Sequence, residues 1–225
     1  MTQKILHLSQ EGFCEYCGSA FSGSAWNLRY AQGGTSGAGS YGKLGQYKAA
    51  VIDEFILAHS IQSVVDFGCG DGYQISLIRN LPNYLGLDVS PVALYKCKQR
   101  FITDPSKSFY LYDSISFDDK ANLFKAELAL SLDVIYHLID RNLFQSYLDN
   151  LFNSASRFVM IYSSDFDSPY NLYEQRRSFT GWVTVHFPKW ELTTKIDNVY
   201  PYEDDNPDDT SYSDWFIYSK TGEAK

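Results

Sequence analysis

Gly68, Gly70 and Gly72 stand at alternate positions in "VVDFGCGDGYQ", directly after an apolar run. Glycines in that setting let the chain turn sharply and let a ligand lie against the backbone. Asp66 sits just before the turn. A carboxylate there can accept hydrogen bonds from an ammonium group or organise the loop amides. It is badly placed against an anionic pyrophosphate. The spacing is G-x-G-x-G, not the G-x-G-x-x-G of dinucleotide sites. Asp88 follows Gly70 by 18 residues and ends the next apolar run, a place that suits a pair of ribose hydroxyls. Asp113 and Ser114 end a third run, where a carboxylate can meet an adenine amino group. The ligand these residues describe has a ribose and no phosphate.

These residues need elements to hold them. "SVVDFG" reads as a buried strand and "DGYQISLIRN" as the start of a helix. "YLGLDVS" is a second strand, followed by the helix "PVALYKCKQRF" with Ser90 as its cap and Pro91 in its first turn. "SFYLYD" and "AELALSLDVI" are the third and fourth strands, "RNLFQSYLDNLFNS" a helix and "RFVMIYSS" the fifth strand. Such alternation predicts an α/β fold, a parallel sheet covered on both faces. "WELTTKIDNVYP" and "DWFIYSK", joined by the acidic turn "EDDNPDD", predict two antiparallel neighbours at the edge. Apolar residues at Tyr47, Val51, Phe55 and Ile56 predict a helix over Gln46 to His59. Residues 1–45 are glycine-rich and irregular, a linker or a loop folded over a ligand. The interleaved Trp26, Arg29, Tyr30 and Tyr41 argue against a plain linker.

The chain has 225 residues, 44% of them hydrophobic, which suits one domain over 1–225. Aromatics reach 16%, consistent with an aromatic-lined pocket as well as an aromatic core. A formal net charge of −8 disfavours nucleic-acid partners. "MTQKILHLSQEGF" lacks a leader's long apolar core, and no apolar run has the length of a membrane span, so cytoplasmic residence is the expectation. Of the four cysteines, Cys69 and Cys97 fall in core elements, which argues against a disulfide framework. Cys14-x-x-Cys17 with His7 lacks the second pair of a zinc finger, and no metal site is expected.

The ordered set "VVDFGCGDG", "YLGLDVS", "FYLYDS" and "LALSLDVIYHL" resembles the class I S-adenosylmethionine-dependent methyltransferases, over roughly Val64 to Lys220. The resemblance implies a Rossmann-like seven-strand sheet, mostly parallel with its last strand antiparallel. It divides the chain into an N-terminal lid (1–45), a cofactor-binding core (46–163) and a substrate loop with edge strands (164–225). It places Asp66, Gly68 and Gly70 against the methionine part of S-adenosylmethionine, Asp88 on the ribose hydroxyls and Val89 against the adenine. Asp113 and Ser114 would flank the adenine edge, and Leu132 and Asp133 would line the cofactor near its sulfonium. "WNLRYAQGGTSGAGSYGKLGQYKA" looks like the lid of a subset associated with surface-glycan and small-metabolite synthesis, with Tyr30, Gly34 and Gly37 closing over the cofactor.

His137 lies just past the fourth strand, where the family places groups that face the methyl. It is either a general base or a wall of the pocket. Asp133, at i, i+4 from it, can orient His137 or bind substrate. Arg176 and Arg177 in "YEQRRSFTGWV" would fork onto a carboxylate or phosphate, or else form structural ion pairs. The first reading implies a small anionic acceptor, a sugar, nucleotide-sugar or related metabolite, methylated on O or N. Tyr136, Tyr162, Tyr170 and Trp182 would supply stacking walls. The alternatives are a catalytically silent S-adenosylmethionine-binding protein and a nucleotide-cofactor oxidoreductase, which the glycine spacing disfavours. An "NPPY"-type motif is missing where the fourth strand ends in "SLDVIYHL", which lowers base methylation.

Overall fold

The computed structural model describes residues 22–169 and 174–222. His7, Cys14, Cys17 and Tyr170 lie outside them. Seven strands form one sheet in the order β3-β2-β1-β4-β5-β7-β6. They are β1 (Ser63–Phe67), β2 (Asn83–Asp88), β3 (Lys107–Leu111), β4 (Ala126–Leu132), β5 (Ala155–Ser163), β6 (Trp190–Ile196) and β7 (Asp214–Lys220). β1 pairs in parallel with β2 and β4. The strand order therefore reverses between β1 and β4, the crevice where open α/β sheets bind ligands. β7 runs antiparallel to both β5 and β6, as the tail of the sequence predicts.

Strand alternation sorts the core into two layers. Val65, Phe67, Ala129, Val159 and Ile161 face one side, against Phe144, Tyr147, Leu148 and Leu151 of α5 (Arg141–Asn153). Val64, Leu128, Leu130, Met160 and Trp215 face the other. There they meet Ile52 and Ile56 of α2 (Gly42–His59), Ile75 of α3 (Tyr73–Ser76) and Leu94 of α4 (Pro91–Arg100). Helices thus cover both faces. β6 is one of the two edge strands, and its central residues are exposed, Glu191 and Lys195 among them. Charges on an edge discourage pairing with another chain.

Three local readings of the sequence need correction. The helix expected from "DGYQISLIRN" is one turn long, because the Asp53 carboxylate of α2 accepts from the amides of Arg79 and Asn80 and turns the chain away. Residues 22–31, expected to be irregular, form α1 (Ser22–Ala31). α1 docks on α4, where Asn27 Oδ1 accepts from Ser90 Oγ at 2.9 Å. α6 (Phe179–His186) was also not foreseen. Its buried Phe179 and Val183 are i, i+4 neighbours, and Asp165 accepts from Thr180 at its first turn.

Ser90 caps α4 as expected, its Oγ accepting from the Ala93 amide at 3.2 Å. The same hydroxyl holds α1 through Asn27. A Ser90→Ala change removes both contacts, and a loss of about 1–2 kcal/mol is expected in urea unfolding. An unchanged midpoint would show that neither contact contributes.

Candidate active site

The glycine turn leaves β1 with Gly68, Gly70 and Gly72 all at positive φ (86°, 60° and 77°). The amides of Gly68 and Cys69 both donate to Leu87 O, at 2.7 and 3.0 Å. Asp88 ties the turn to the end of β2. Its Oδ2 accepts from Gly70 N and its Oδ1 from Ser90 N, each at 2.8 Å. Burial pushes the Asp88 carboxyl up to about 6, although these amides oppose the shift.

Asp66 sits on β1 beside the turn and is almost fully buried. Its Oδ2 accepts from Tyr84 OH at 2.7 Å, while Oδ1 is buried without a partner. Burial, with the Asp88 charge adding to it, raises Asp66 to about 7. Tyr84 and Lys48 act in the opposite sense. A buried acceptor with no donor at a cavity wall is a place for a charged donor.

A cavity of about 630 Å³ opens over the turn at the β1/β4 crevice. Asp66, Gly68, Gly70, Asp88, Val89, Asp113, Ser114 and Leu132 line it, together with Asp133 and His137. Asp113 Oδ1 accepts from the Ser116 amide, and hydrogen bonds from Ser116 hold this carboxyl below its ordinary value. His137, in the 3-10 turn Ile135–His137, meets the Trp26 ring edge-on at 5.2 Å between centroids. Trp26 also lines the cavity.

The glycine-rich segment after α1 closes the cavity's other side. Tyr30 OH and Ser36 Oγ are 2.9 Å apart, and the Asp71 amide donates to Ser36 Oγ at 3.1 Å. Asp71 Oδ2 accepts in turn from Tyr41 OH at 2.7 Å. Lys96 of α4 donates to Gly34 O at 2.9 Å. Tyr30, Ser36 and Ser40 face the cavity, whereas Gly34 and Gly37 shape the segment without lining it. A Cβ on Gly34 would stand 2.7 Å from Arg29 O, and Gly37 has φ 92°.

Five further residues picked from the sequence do not reach the cavity wall, among them Trp182, which packs on Phe144 and stacks with His186. Tyr162 is a core residue of β5, packed on Trp215. Burial pushes the Tyr136 hydroxyl well up, with the Asp133 charge adding to it. Arg176 pairs with Glu174 at 2.7 Å and lies over the Tyr212 ring. Arg177 donates to the carbonyls of Leu138 and Ile139. Asp133 is held not by His137 but by two residues the sequence reading missed. Lys48 Nζ donates to its Oδ2 at 2.6 Å and Ser213 Oγ to its Oδ1 at 2.9 Å. Lys48 had left a trace, since it occupies the apolar stripe of Leu44 and Ile52 at i, i+4 spacing. Asp71 was equally visible as an acid inside the glycine motif.

No family model matches the chain, and no curated protein matches its sequence. Solved structures do. The methyltransferase domain of bacterial CtHen1-C superposes with a TM-score of 0.60 at 19% identity, covering 79% of this chain and 99% of that one. The SAM-bound amino pentose methyltransferase CalS10 from Micromonospora echinaspora gives 0.61 at 11% identity, covering 80% and 93%. Magnesium protoporphyrin IX methyltransferase from Synechocystis PCC 6803 with bound SAH gives 0.60 at 14% identity, covering 79% and 84%. The chain has the class I methyltransferase fold. Within this methyltransferase fold the cavity occupies the switch point, and the glycine turn forms its floor. No helix among the described residues is long and apolar enough to cross a membrane. No group of three metal-ligating side chains occurs among them either.

Proposed function

We propose that the chain is an S-adenosylmethionine-dependent methyltransferase acting on a small acceptor at this cavity. The observation that carries the reading is the partnerless, buried Oδ1 of Asp66 beside the glycine turn. It fits the ammonium group of the cofactor's methionine part. Asp88 keeps a second lone pair on each oxygen for ribose hydroxyls. Val89 offers apolar contact to the adenine, Leu132 lines the cavity where the sulfonium would lie, and Asp113 and Ser114 offer polar contact at the adenine edge. When bound, the cofactor supplies an electrophilic methyl group on sulfur. The protein's part is to hold the acceptor in line and to take its proton. His137, beside Trp26 on the wall, is the group suited to receive that proton from a hydroxyl acceptor.

The lining charges bear on the acceptor. Besides the three carboxylates assigned to the cofactor, Asp133, which is paired with Lys48, and Asp140 line the described cavity, and no lysine or arginine does. Arg176 and Arg177, the basis for expecting an anionic acceptor, are engaged elsewhere. An uncharged or basic acceptor therefore fits this wall better than an anionic one. The net charge of −8 speaks likewise for a small acceptor over a nucleic acid.

Isothermal titration with S-adenosylhomocysteine tests the reading. Micromolar binding is expected, and Asp88→Ala should weaken it by about 10- to 100-fold, the range for hydrogen bonds to a charged group. Absence of binding to the folded protein would sink the cofactor assignment. His137→Ala should slow methyl transfer while leaving that affinity intact.

A further inference from the structure

Lys48 is wholly buried, yet none of the roles above uses it. Its ammonium is 2.6 Å from Asp133 Oδ2 and 5.1 Å from the centroid of the Tyr162 ring. Asp133 has φ 58°, a left-handed conformation that non-glycine residues adopt only under constraint. Its amide donates to Tyr162 O at 2.9 Å, and both carboxylate oxygens are occupied, by Lys48 and by Ser213. The lid lies directly on this carboxylate. A Cβ built on Gly39, in the 3-10 turn Ala38–Ser40, would stand 3.0 Å from Asp133 Oδ2. Asp133 and Ser40 both line the cavity.

We propose that Lys48 is a positioning residue of this site. Through Asp133 it fixes the cavity wall at the end of β4 and seats the lid turn Ala38–Ser40 against that wall. α2, which carries Lys48, follows the lid turn directly, so one helix anchors the segment at its base and at its contact point. The pair also occupies the Asp133 carboxylate, which leaves proton transfer to His137. The link to methyl transfer rests on the cofactor reading above; the link to the lid does not.

Three variants of the full chain test this: Lys48→Met, Asp133→Asn and the double change. Each single change leaves one buried charge without its partner, and the double change leaves none. Amide hydrogen exchange across residues 37–41 should rise at least about 10-fold in each single variant and, because the pair acts as one unit, by no more than about threefold further in the double. Amides of β1 and β4 should stay protected throughout. S-adenosylhomocysteine affinity should follow the same order, falling about 10-fold in the singles and to about the same level in the double. Wild-type lid exchange in the singles or in the double, additive loss in the double, or a rise spread evenly over the sheet would each overturn the proposal. If a single variant fails to fold, a folded double variant with a loosened lid supports it and one with a wild-type lid overturns it. If the wild type binds no S-adenosylhomocysteine, the cofactor reading fails, and the exchange data still decide the role of Lys48.

Discussion

A Gly70→Ala chain is expected to fold and to lose S-adenosylhomocysteine binding by at least about 100-fold. Two effects combine. Gly70 has φ 60°, where an alanine costs about 1–2 kcal/mol. The added methyl also has nowhere to go, since its ideal position is 2.4 Å from Ser36 Oγ and 3.1 Å from Tyr30 OH. Ser36 must move, and it carries the contacts to Tyr30 and to the Asp71 amide that close the lid. The clash therefore falls on both walls of the cavity at once. Gly33→Ala separates strain from contact. Gly33 has φ 87°, but a Cβ there meets nothing within 4 Å. That change should cost about 1 kcal/mol of stability in urea unfolding and leave binding intact. Wild-type affinity in Gly70→Ala, measured by titration calorimetry, would remove the turn from the binding site.

The second large effect is on pH, and it has opposite signs for stability and for binding. Asp66 is raised to about 7 and Asp88 to about 6, both chiefly by burial. In the unfolded chain both titrate at about 4. Between those values the folded state holds more protons than the unfolded one, so stability falls as pH rises. For Asp66 alone the fall between about pH 5 and about pH 8 is on the order of 3 kcal/mol, and it levels off above pH 7. Cofactor binding should run the other way. An ammonium group is held by the ionised carboxylate, so affinity should climb through the same window. Asp66→Asn should flatten the binding curve and remove the Asp66 share of the stability slope, leaving that of Asp88. Urea unfolding and calorimetry across this range provide the check. An affinity that stays level from pH 5 to 8 in the folded wild type would mean that Asp66 does not hold the ammonium group.

What was legible in the sequence was local or strictly periodic. The strand–turn–helix signal around Gly68–Gly72, the Ser90 cap and the alternating strands each depend on residues a few positions apart, and the sheet that joins them follows from general connection rules. α6 was legible in principle from Phe179 and Val183, but at eight residues its period is short. α1 was hidden because its stability comes from docking through Asn27 and Tyr30 rather than from its own pattern. Arg176 and Arg177 illustrate the limit for sites. Two adjacent arginines look alike whether they grip a ligand, a glutamate or backbone carbonyls, and only the fold distinguishes these outcomes. Lys48 marks the reverse case, a cation on an apolar stripe that announced a buried partner without naming it.

The contacts of Asp133 also set an order of events during synthesis. Lys48 is 85 residues upstream of it and Ser213 is 80 downstream. A ribosome-bound chain that has just released β4 can form the first contact but not the second. β7, which inserts between β5 and β6, arrives after both of its neighbours. Until then β5 exposes an open edge, with Met160 and Tyr162 uncovered on one side. Such an edge invites pairing with other chains. The edge of β5 is therefore closed only when the last strand of the sheet has paired with it.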